Sequence, residues 1–264
     1  MHVLEIVGGG RMGEALLGGL IAGGWSPGDL AVVEALPARR DQLAERFPDV
    51  TVTSEPLDAS GAVVAVKPGD VPDAVGAAVA RGAGRILSIA AGVTLHQLQT
   101  AAGDGVPVVR AMPNTPALVG AGASAIAGGD AATDDDLDWA ESVLGAVGIV
   151  VRVTESQLDA VTGLSGSGPA YVFLVAEALT EAGVFVGLPR DTAATLVGQT
   201  LLGSATLLTS SDDGPEALRA AVTSPGGTTA AGLKALESAG VRAAFADAVV
   251  AAAERAREMG RDSR

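Results

Sequence analysis

The sequence of 264 residues contains no cysteine and only two histidines, His2 and His96. The absence of cysteine excludes disulfide bridges, thiolate nucleophiles, iron–sulfur clusters and cysteine-ligated zinc. Two separated histidines do not make a metal centre, so we expect no metal and expect both side chains to be structural or solvated. With a single tyrosine as well, the common proton donors of enzymes are scarce, which favours chemistry that needs little acid assistance.

Positive charge is also scarce: the sequence has 17 Lys and Arg residues and 31 Asp and Glu residues, which gives a net charge of −14. No Lys/Arg run is present, so we expect no nucleic-acid partner. A small anionic ligand remains compatible with this charge, because backbone N–H groups can bind it locally. The first residues predict a strand and not a signal peptide, and the apolar run Tyr171–Leu188 contains Glu177 and Glu181. We therefore expect no membrane span and a cytoplasmic location.

Short apolar runs alternate with helical patterns over the first part of the chain. Within the first 110 residues these runs are Val3–Val7, Leu30–Glu34, Val50–Thr53, Ala62–Val66, Ile86–Ile89 and Val106–Arg110, and two further short runs, Ala123–Ala127 and Gly148–Val153, come after them. Continuous apolar strands separated by helices are typical of a parallel sheet covered on both faces. The pattern predicts an α/β fold whose N-terminal domain, residues 1–153, is a doubly wound Rossmann-type domain.

The pattern changes after about Val153, where only Ala- and Leu-rich helical segments follow. We predict an all-helical domain over residues 154–264. The stretch Tyr171–Val175 has no polar face, which is typical of a helix buried on every side. A helical domain of roughly 105 residues buries such a segment poorly by itself. We therefore predict that a second subunit covers it and that this is a dimerisation domain.

A glycine motif follows the first predicted strand directly and opens a helix. It reads Gly8-Gly9-Gly10-Arg11-Met12-Gly13 and contains G-x-G-x-x-G. Gly8 allows the tight turn, Gly10 lets the backbone approach a pyrophosphate, and Gly13 permits close packing of helix on strand. Strand, turn and helix all stand where a dinucleotide site needs them, so the motif predicts one.

Three residues could set the choice between NADH and NADPH. Glu34 ends the second predicted strand, where an acidic group bonds the ribose hydroxyls of NAD. Arg39 and Arg40 follow and could instead hold the additional phosphate of NADP. The sequence leaves both cofactors open. Lys67 closes the fourth predicted strand, where it either lines the cleft or is simply solvated.

Three turns rich in glycine, proline and hydroxyl groups complete the set of candidate motifs. They are Met112–Pro116, Ser165–Pro169 and Ser224–Thr229. The last two precede predicted helices, so their backbone N–H groups could bind a carboxylate or a phosphate. Each turn alone could equally be a plain helix cap.

Taken together, these motifs resemble pyrroline-5-carboxylate reductase. The resemblance runs over nearly the whole chain and is most specific in two long stretches, Asp159–Tyr171 and Val222–Thr229. It implies reduction of the cyclic imine Δ1-pyrroline-5-carboxylate to L-proline, the last step of proline biosynthesis, with NADPH or NADH. It also implies a homodimer whose helical domains interlock, with larger assemblies of dimers in some members.

The resemblance also implies roles for matching residues. Gly8, Gly10, Arg11, Met12 and Gly13 would hold the pyrophosphate through backbone contacts, and Ala65, Lys67 and Ala91 would flank the nicotinamide ribose and ring. Gly227, Thr228 and Thr229 would hold the substrate carboxylate through backbone groups, and the Thr229 hydroxyl would bond the ring nitrogen as the catalytic group. Glu155 would be a carboxylate of the substrate pocket, while Asn114 and Ser165 would shape that pocket.

Two positions depart from the family pattern. Ala221 stands where some relatives have an asparagine near the pocket, and Glu34 stands where relatives have a small polar residue. Two rival functions remain. One is a different imine or β-hydroxyacid reductase, although Ser156–Tyr171 lacks the lysine that such enzymes place there. The other is a non-catalytic dinucleotide-sensing protein, which would not need the turn before Thr229.

Overall fold

The structure, a computed structural model, describes residues 2–262. Its centre is one eight-stranded sheet with the order β3-β2-β1-β4-β5-β6-β7-β8. The strands are β1 (His2–Val7), β2 (Leu30–Val33), β3 (Thr51–Thr53), β4 (Ala59–Val64), β5 (Ile86–Ser88), β6 (Val108–Met112), β7 (Gly122–Gly128) and β8 (Gly148–Arg152). The predicted Rossmann-type sheet is confirmed.

Strands β1 to β6 are parallel, and β7 runs antiparallel to β6. Only a short 3₁₀ segment, Thr115–Val119, separates β6 from β7. A parallel return needs a crossover of a dozen or more residues, so this short link reverses the chain. The sequence pattern predicted the strand but not its direction.

Helices cover both faces of the sheet. They are α1 (Arg11–Ala22), α2 (Pro37–Arg46), α3 (Val71–Ala80), α4 (Leu95–Ala102) and α5 (Asp134–Gly145). On one face, Leu4 and Ile6 of β1 belong to a buried cluster with Leu16 of α1. On the other face, Val7 belongs to a second cluster with Val75 of α3. A strand that is buried on both faces reads as a continuous apolar run, which explains the sequence pattern.

The remaining helices follow β8. They are α6 (Leu158–Val161), continued by a π turn (Thr162–Gly166), then α7 (Gly168–Phe185), α8 (Arg190–Ser210), α9 (Pro215–Ala221), α10 (Thr228–Ser238) and α11 (Val241–Asp262). No strand occurs after β8 in the part of the chain that the structure describes. The predicted helical character of this half is confirmed.

Two compact units divide the chain. Among the described residues, the first unit comprises residues 2–167 with 250–262, and the second comprises residues 168–249. This division lies later than the predicted boundary at residue 153, because α6 and the π turn pack with the first unit and α11 is shared between units. The boundary at 153/154 stays a prediction about domains.

The second unit exposes many large apolar side chains within a single chain. Phe173 is 62% exposed, Leu174 63% and Phe185 91%, all on α7. By length and composition alone, the helical stretch Glu155–Phe185 is long and apolar enough to cross a membrane, and none of its most apolar window is buried. Phe173 and Leu174 belong to the stretch that was predicted to be covered by a second subunit, and both are exposed in the single chain.

Candidate active site

The candidate cofactor residues lie along one edge of the sheet. Gly8 follows β1, Glu34 follows β2, Ala65 follows β4 and Ala91 follows β5. These strands are parallel, so their carboxyl ends share one edge. The strand order reverses at β1, which lies between β2 and β4. In open α/β sheets, ligands bind in the crevice at this reversal point.

The glycine loop has the tight geometry that its sequence predicts. Gly8 has φ +111°, and a Cβ there would lie 2.6 Å from the Ala65 carbonyl oxygen. A Cβ on Gly13 would lie 2.0 Å from the Gly8 carbonyl oxygen. Gly10 is exposed and has nothing within 4 Å of a Cβ position. Gly8 and Gly13 therefore allow the chain to turn tightly, and Gly10 leaves the backbone open to the approach of a ligand.

Helix α1 presents unpaired N–H groups at this approach. Its first intrahelical bond is donated by Glu14 N–H to the Gly10 carbonyl, at 2.9 Å. The N–H groups of Arg11, Met12 and Gly13 therefore have no partner one turn earlier. They point out of the positive end of the helix, which is the arrangement that binds a pyrophosphate. This cradle fits a dinucleotide cofactor.

Glu34 is fixed beside the glycine loop. Its Oε2 accepts a hydrogen bond from Gly9 N–H at 3.0 Å, and its Oε1 accepts one from Leu36 N–H at 2.9 Å. Its own N–H donates to the Thr53 carbonyl at 2.9 Å. The carboxylate is therefore held at the end of β2, where the sequence placed a ribose-binding group.

Arg39 is engaged within the protein. Its Nε donates to the Gly9 carbonyl at 2.7 Å, and its Nη2 forms an ion pair with Glu14. Arg46 forms a second ion pair with Glu14. The hydrogen bond from Arg39 is the main cause that lowers the pKa of the Glu14 carboxyl below its ordinary value. Arg39 thus braces the loop, a contact that the sequence did not predict.

The residues predicted to flank the nicotinamide lie after β4 and β5. Strand β4 ends at Val64, and Ala65, the next residue, is half-buried. Lys67 is exposed and immediately precedes a 3₁₀ turn, Pro68–Asp70. Ala91 is exposed after β5. All three are at the carboxyl edge, and Ala65 N–H donates to the Val7 carbonyl at 2.8 Å, which ties this segment to β1.

The amide of Asn114 connects three segments. Its Nδ2 donates to the Ser165 carbonyl at 3.0 Å, and its Oδ1 accepts from Ala123 N–H at 2.9 Å. The Ser165 hydroxyl donates to the Val161 carbonyl at 3.2 Å. Both side chains are committed to internal bonds, so they suit a shaping role better than a chemical one.

Glu155 forms a partly buried ion pair with Arg110. Its Oε1 lies 3.0 Å from Arg110 Nη1 and accepts Leu95 N–H at 2.6 Å, at the start of α4. Asp159 stands 4.0 Å from the same guanidinium. A cavity of about 320 Å³ lies beside these groups. Glu155 therefore has a structural task in this unit, which the sequence did not indicate because its partners are 45 and 60 residues away.

The predicted substrate turn lies in the second unit, at the start of α10. Gly227 N–H donates to the Ser224 carbonyl at 3.0 Å, so this amide already closes the turn. The first intrahelical bond joins Ala231 N–H to the Gly227 carbonyl at 3.2 Å. The N–H groups of Thr228 and Thr229 precede that bond and lack a partner one turn earlier. Both threonines are exposed. Of the three predicted amides, those of Thr228 and Thr229 are the ones positioned to receive an anion.

Comparisons with known proteins cover both units. Residues 155–259 match the family described as pyrroline-5-carboxylate reductase dimerisation, and residues 3–92 match the family described as NADP oxidoreductase, coenzyme F420-dependent. A pyrroline-5-carboxylate reductase of Synechocystis sp. is 46% identical over 98% of both chains. The chain belongs to the pyrroline-5-carboxylate reductase family. The resemblance stated from the sequence motifs is confirmed.

Solved structures of this family have the same fold. A pyrroline-5-carboxylate reductase from Coxiella burnetii superposes with a TM-score of 0.92 at 37% identity, covering 98% of each chain. The enzyme from Plasmodium falciparum, whose structure has NADP bound, gives a TM-score of 0.83 at 29% identity, again with 98% coverage of each chain. The two-domain α/β and all-helical architecture is therefore that of the family.

Proposed function

We propose that this protein reduces Δ1-pyrroline-5-carboxylate to L-proline with NADH or NADPH, as the last step of proline biosynthesis. The observation that supports this most is the dinucleotide cradle at the reversal point of the sheet, in a chain that matches reductases of this name along its whole length. The rival reductases and the sensing protein are not favoured by these relatives.

The proposal assigns cofactor binding to the first unit. Backbone groups from Gly8 to Gly13 hold the pyrophosphate, while Ala65, Lys67 and Ala91 flank the nicotinamide end. When bound, the reduced nicotinamide supplies the hydride. The protein contributes mainly position, since holding reactants in a near-attack geometry removes most of the entropic barrier.

The proposal assigns substrate binding to the start of α10. The N–H groups of Thr228 and Thr229 hold the carboxylate at the positive helix end. The Thr229 hydroxyl bonds the ring nitrogen, where it holds or relays the proton. An imine nitrogen is protonated far more readily than a carbonyl oxygen, so no dedicated acid is required. This agrees with the absence of cysteine and the scarcity of histidine.

A direct assay tests the proposal. Absorbance follows NADH and NADPH oxidation with and without pyrroline-5-carboxylate, and we expect oxidation that depends on the imine. Thr229→Ala should lower kcat with little change in cofactor Kd, whereas Thr228→Ala, which keeps the same backbone, should stay near wild type. Cofactor binding without imine reduction would support the sensing protein, and unchanged kinetics of Thr229→Ala would remove Thr229 from the mechanism.

The same proposal includes a homodimer. Exposed Phe173, Leu174 and Phe185 of α7 would be covered by the partner, in a segment matched by the family's dimerisation region. Glu177 and Glu181 within this helix argue against a membrane span, and we propose a cytoplasmic protein without nucleic-acid partners. Light scattering should give twice the chain mass or a multiple of it, the latter for an assembly of dimers, and a clean monomer would refute the dimer.

A further inference from the structure

We infer that Glu34 gives this protein a preference for NADH over NADPH. The inference rests on the proposed function, because it concerns the cofactor of that reaction. Glu34 follows β2 directly, and β2 is the neighbour of β1 at the carboxyl edge where the glycine loop begins. In this fold, the group at that position faces the adenosine ribose, which carries a hydroxyl in NADH and a phosphate in NADPH.

The carboxylate of Glu34 is fixed and has little freedom to turn away. Each oxygen accepts a backbone N–H, Oε2 from Gly9 at 3.0 Å and Oε1 from Leu36 at 2.9 Å. Oε2 also lies only 3.2 Å from the position that a Cβ on Gly9 would take. The negative charge is therefore held against the loop that receives the cofactor.

None of the ion pairs among the described residues, 2–262, includes Glu34. Arg39 directs Nε to the Gly9 carbonyl, Nη1 to Gln42 and Nη2 to Glu14. Arg40 donates from Nη1 to the carbonyls of Glu34 and Ala35, at 2.8 and 2.7 Å. Recruiting Arg39 to a phosphate would break the contacts that brace the loop.

The chemistry at this position favours a hydroxyl over a phosphate. An ionised carboxylate is an acceptor with lone pairs to spare beyond its two N–H bonds, so it can accept from a ribose hydroxyl. A phosphate has no proton to donate when fully ionised and carries a charge of about −1.5 to −2 near pH 7. Placing it against a fixed carboxylate costs repulsion and desolvation, which weakens NADPH selectively.

The test measures binding and not turnover, so it does not depend on the imine substrate. Calorimetry gives Kd for NADH and NADPH with the wild-type protein, and for AMP and 2′,5′-ADP, which differ only in the 2′-phosphate. We expect NADH and AMP to bind at least about tenfold more tightly than NADPH and 2′,5′-ADP respectively, equivalent to about 1.4 kcal/mol. Equal or tighter binding of the phosphorylated ligands overturns the inference.

Two variants assign the preference to Glu34. Glu34→Gln keeps the side-chain length and one acceptor oxygen but removes the charge, so the ratio of the two Kd values should fall at least fivefold, through tighter NADPH binding. Asp104→Asn removes one charge from the exposed turn between α4 and β6, at the opposite edge of the sheet, and should leave the ratio unchanged. A ratio unmoved by Glu34→Gln refutes the role of Glu34.

The outcomes stay distinct from those of the proposed function. A protein that prefers NADH but reduces no imine would retain this inference and lose the proposed reaction. A protein that reduces the imine and prefers NADPH would do the reverse. If Glu34→Gln fails to fold, the wild-type comparison of AMP with 2′,5′-ADP still decides whether the preference exists.

Discussion

Replacing Gly13 by alanine should damage cofactor binding through a single clash. The new Cβ would lie 2.0 Å from the Gly8 carbonyl oxygen, and real Cβ atoms essentially never approach below 3.0 Å. The clashing atom belongs to the backbone, so the start of α1 must retreat by about 1 Å. Overpacking of this kind costs about 1–3 kcal/mol, and alanine returns up to about 1 kcal/mol through helix propensity.

We therefore expect the free energy of unfolding of Gly13→Ala to fall by about 1–2 kcal/mol. NADH binding should weaken further, by at least about tenfold, because the displaced N–H groups of Arg11 to Gly13 no longer meet the pyrophosphate in register. Denaturant unfolding and calorimetric titration measure the two effects separately.

Gly18→Ala is the matched control on the same helix. Its Cβ would meet only Phe47 Cζ, at an ordinary 3.9 Å. This change should stabilise the protein by about 0.5–1 kcal/mol and leave NADH binding as in wild type. Wild-type NADH affinity in Gly13→Ala would refute the reasoning, since it would mean that the contact of helix on turn does not position the binding amides.

Three further changes test other parts of the first unit. Gly10→Ala should change the free energy of unfolding by no more than about 0.5 kcal/mol, because Gly10 has φ −66° and its Cβ position is open. Calorimetry should nevertheless show NADH binding about tenfold weaker, because the Cβ would block the approach of the pyrophosphate to the backbone. Unchanged NADH affinity would remove Gly10 from the cradle. Glu155→Gln should lower the free energy of unfolding by about 1–2 kcal/mol, because it removes one of the negative charges that compensate the buried Arg110 guanidinium. Denaturant unfolding measures this effect, and the exposed control Glu55→Gln should stay within about 0.5 kcal/mol of the wild type. Burial raises the pKa of the Glu5 carboxyl, so the wild-type protein loses stability as pH rises from the pKa of this group in the unfolded chain, about 4.5, to its higher pKa in the folded chain. Glu5→Gln removes this titration, so the Tm of the variant minus the Tm of the wild type should increase with pH above about 4.5. A difference in Tm that does not change with pH would contradict this reasoning.

Much of the fold could be predicted from the sequence because its signals are local. Strand β2 is buried on both faces and therefore reads as a continuous apolar run, and β1, which is apolar from Val3 to Val7 except for Glu5, runs straight into a turn that only glycine can form at Gly8. A helix was predicted next to the turn Ser224–Thr229, and α10 begins at Thr228, because Ser224–Gly227 is a run of turn-forming residues. Short-range chemistry determines these features, so one sequence suffices.

The partners of the charged residues could not be predicted in this way. Arg39 and Arg46 reach Glu14 across 25 and 32 positions of the chain, and Arg110 reaches Glu155 across 45. No spacing rule connects residues so far apart, because their proximity depends on how strands are ordered in the sheet. The sequence therefore placed Arg39 near the cofactor but could not show that its guanidinium is already engaged.

Charge and chemistry fit together once these pairings are known. A protein with a net charge of −14 is proposed to bind a dinucleotide and a carboxylate, both anions. It offers them backbone N–H groups at the starts of α1 and α10, while Arg39 and Arg46 both pair with one carboxylate, Glu14. Because aligned amides carry no net charge, they can bind an anion without adding a cation that would also favour an extra phosphate. The fixed carboxylate of Glu34 belongs to none of the ion pairs of residues 2–262, which is the condition under which this one side chain can set the cofactor preference.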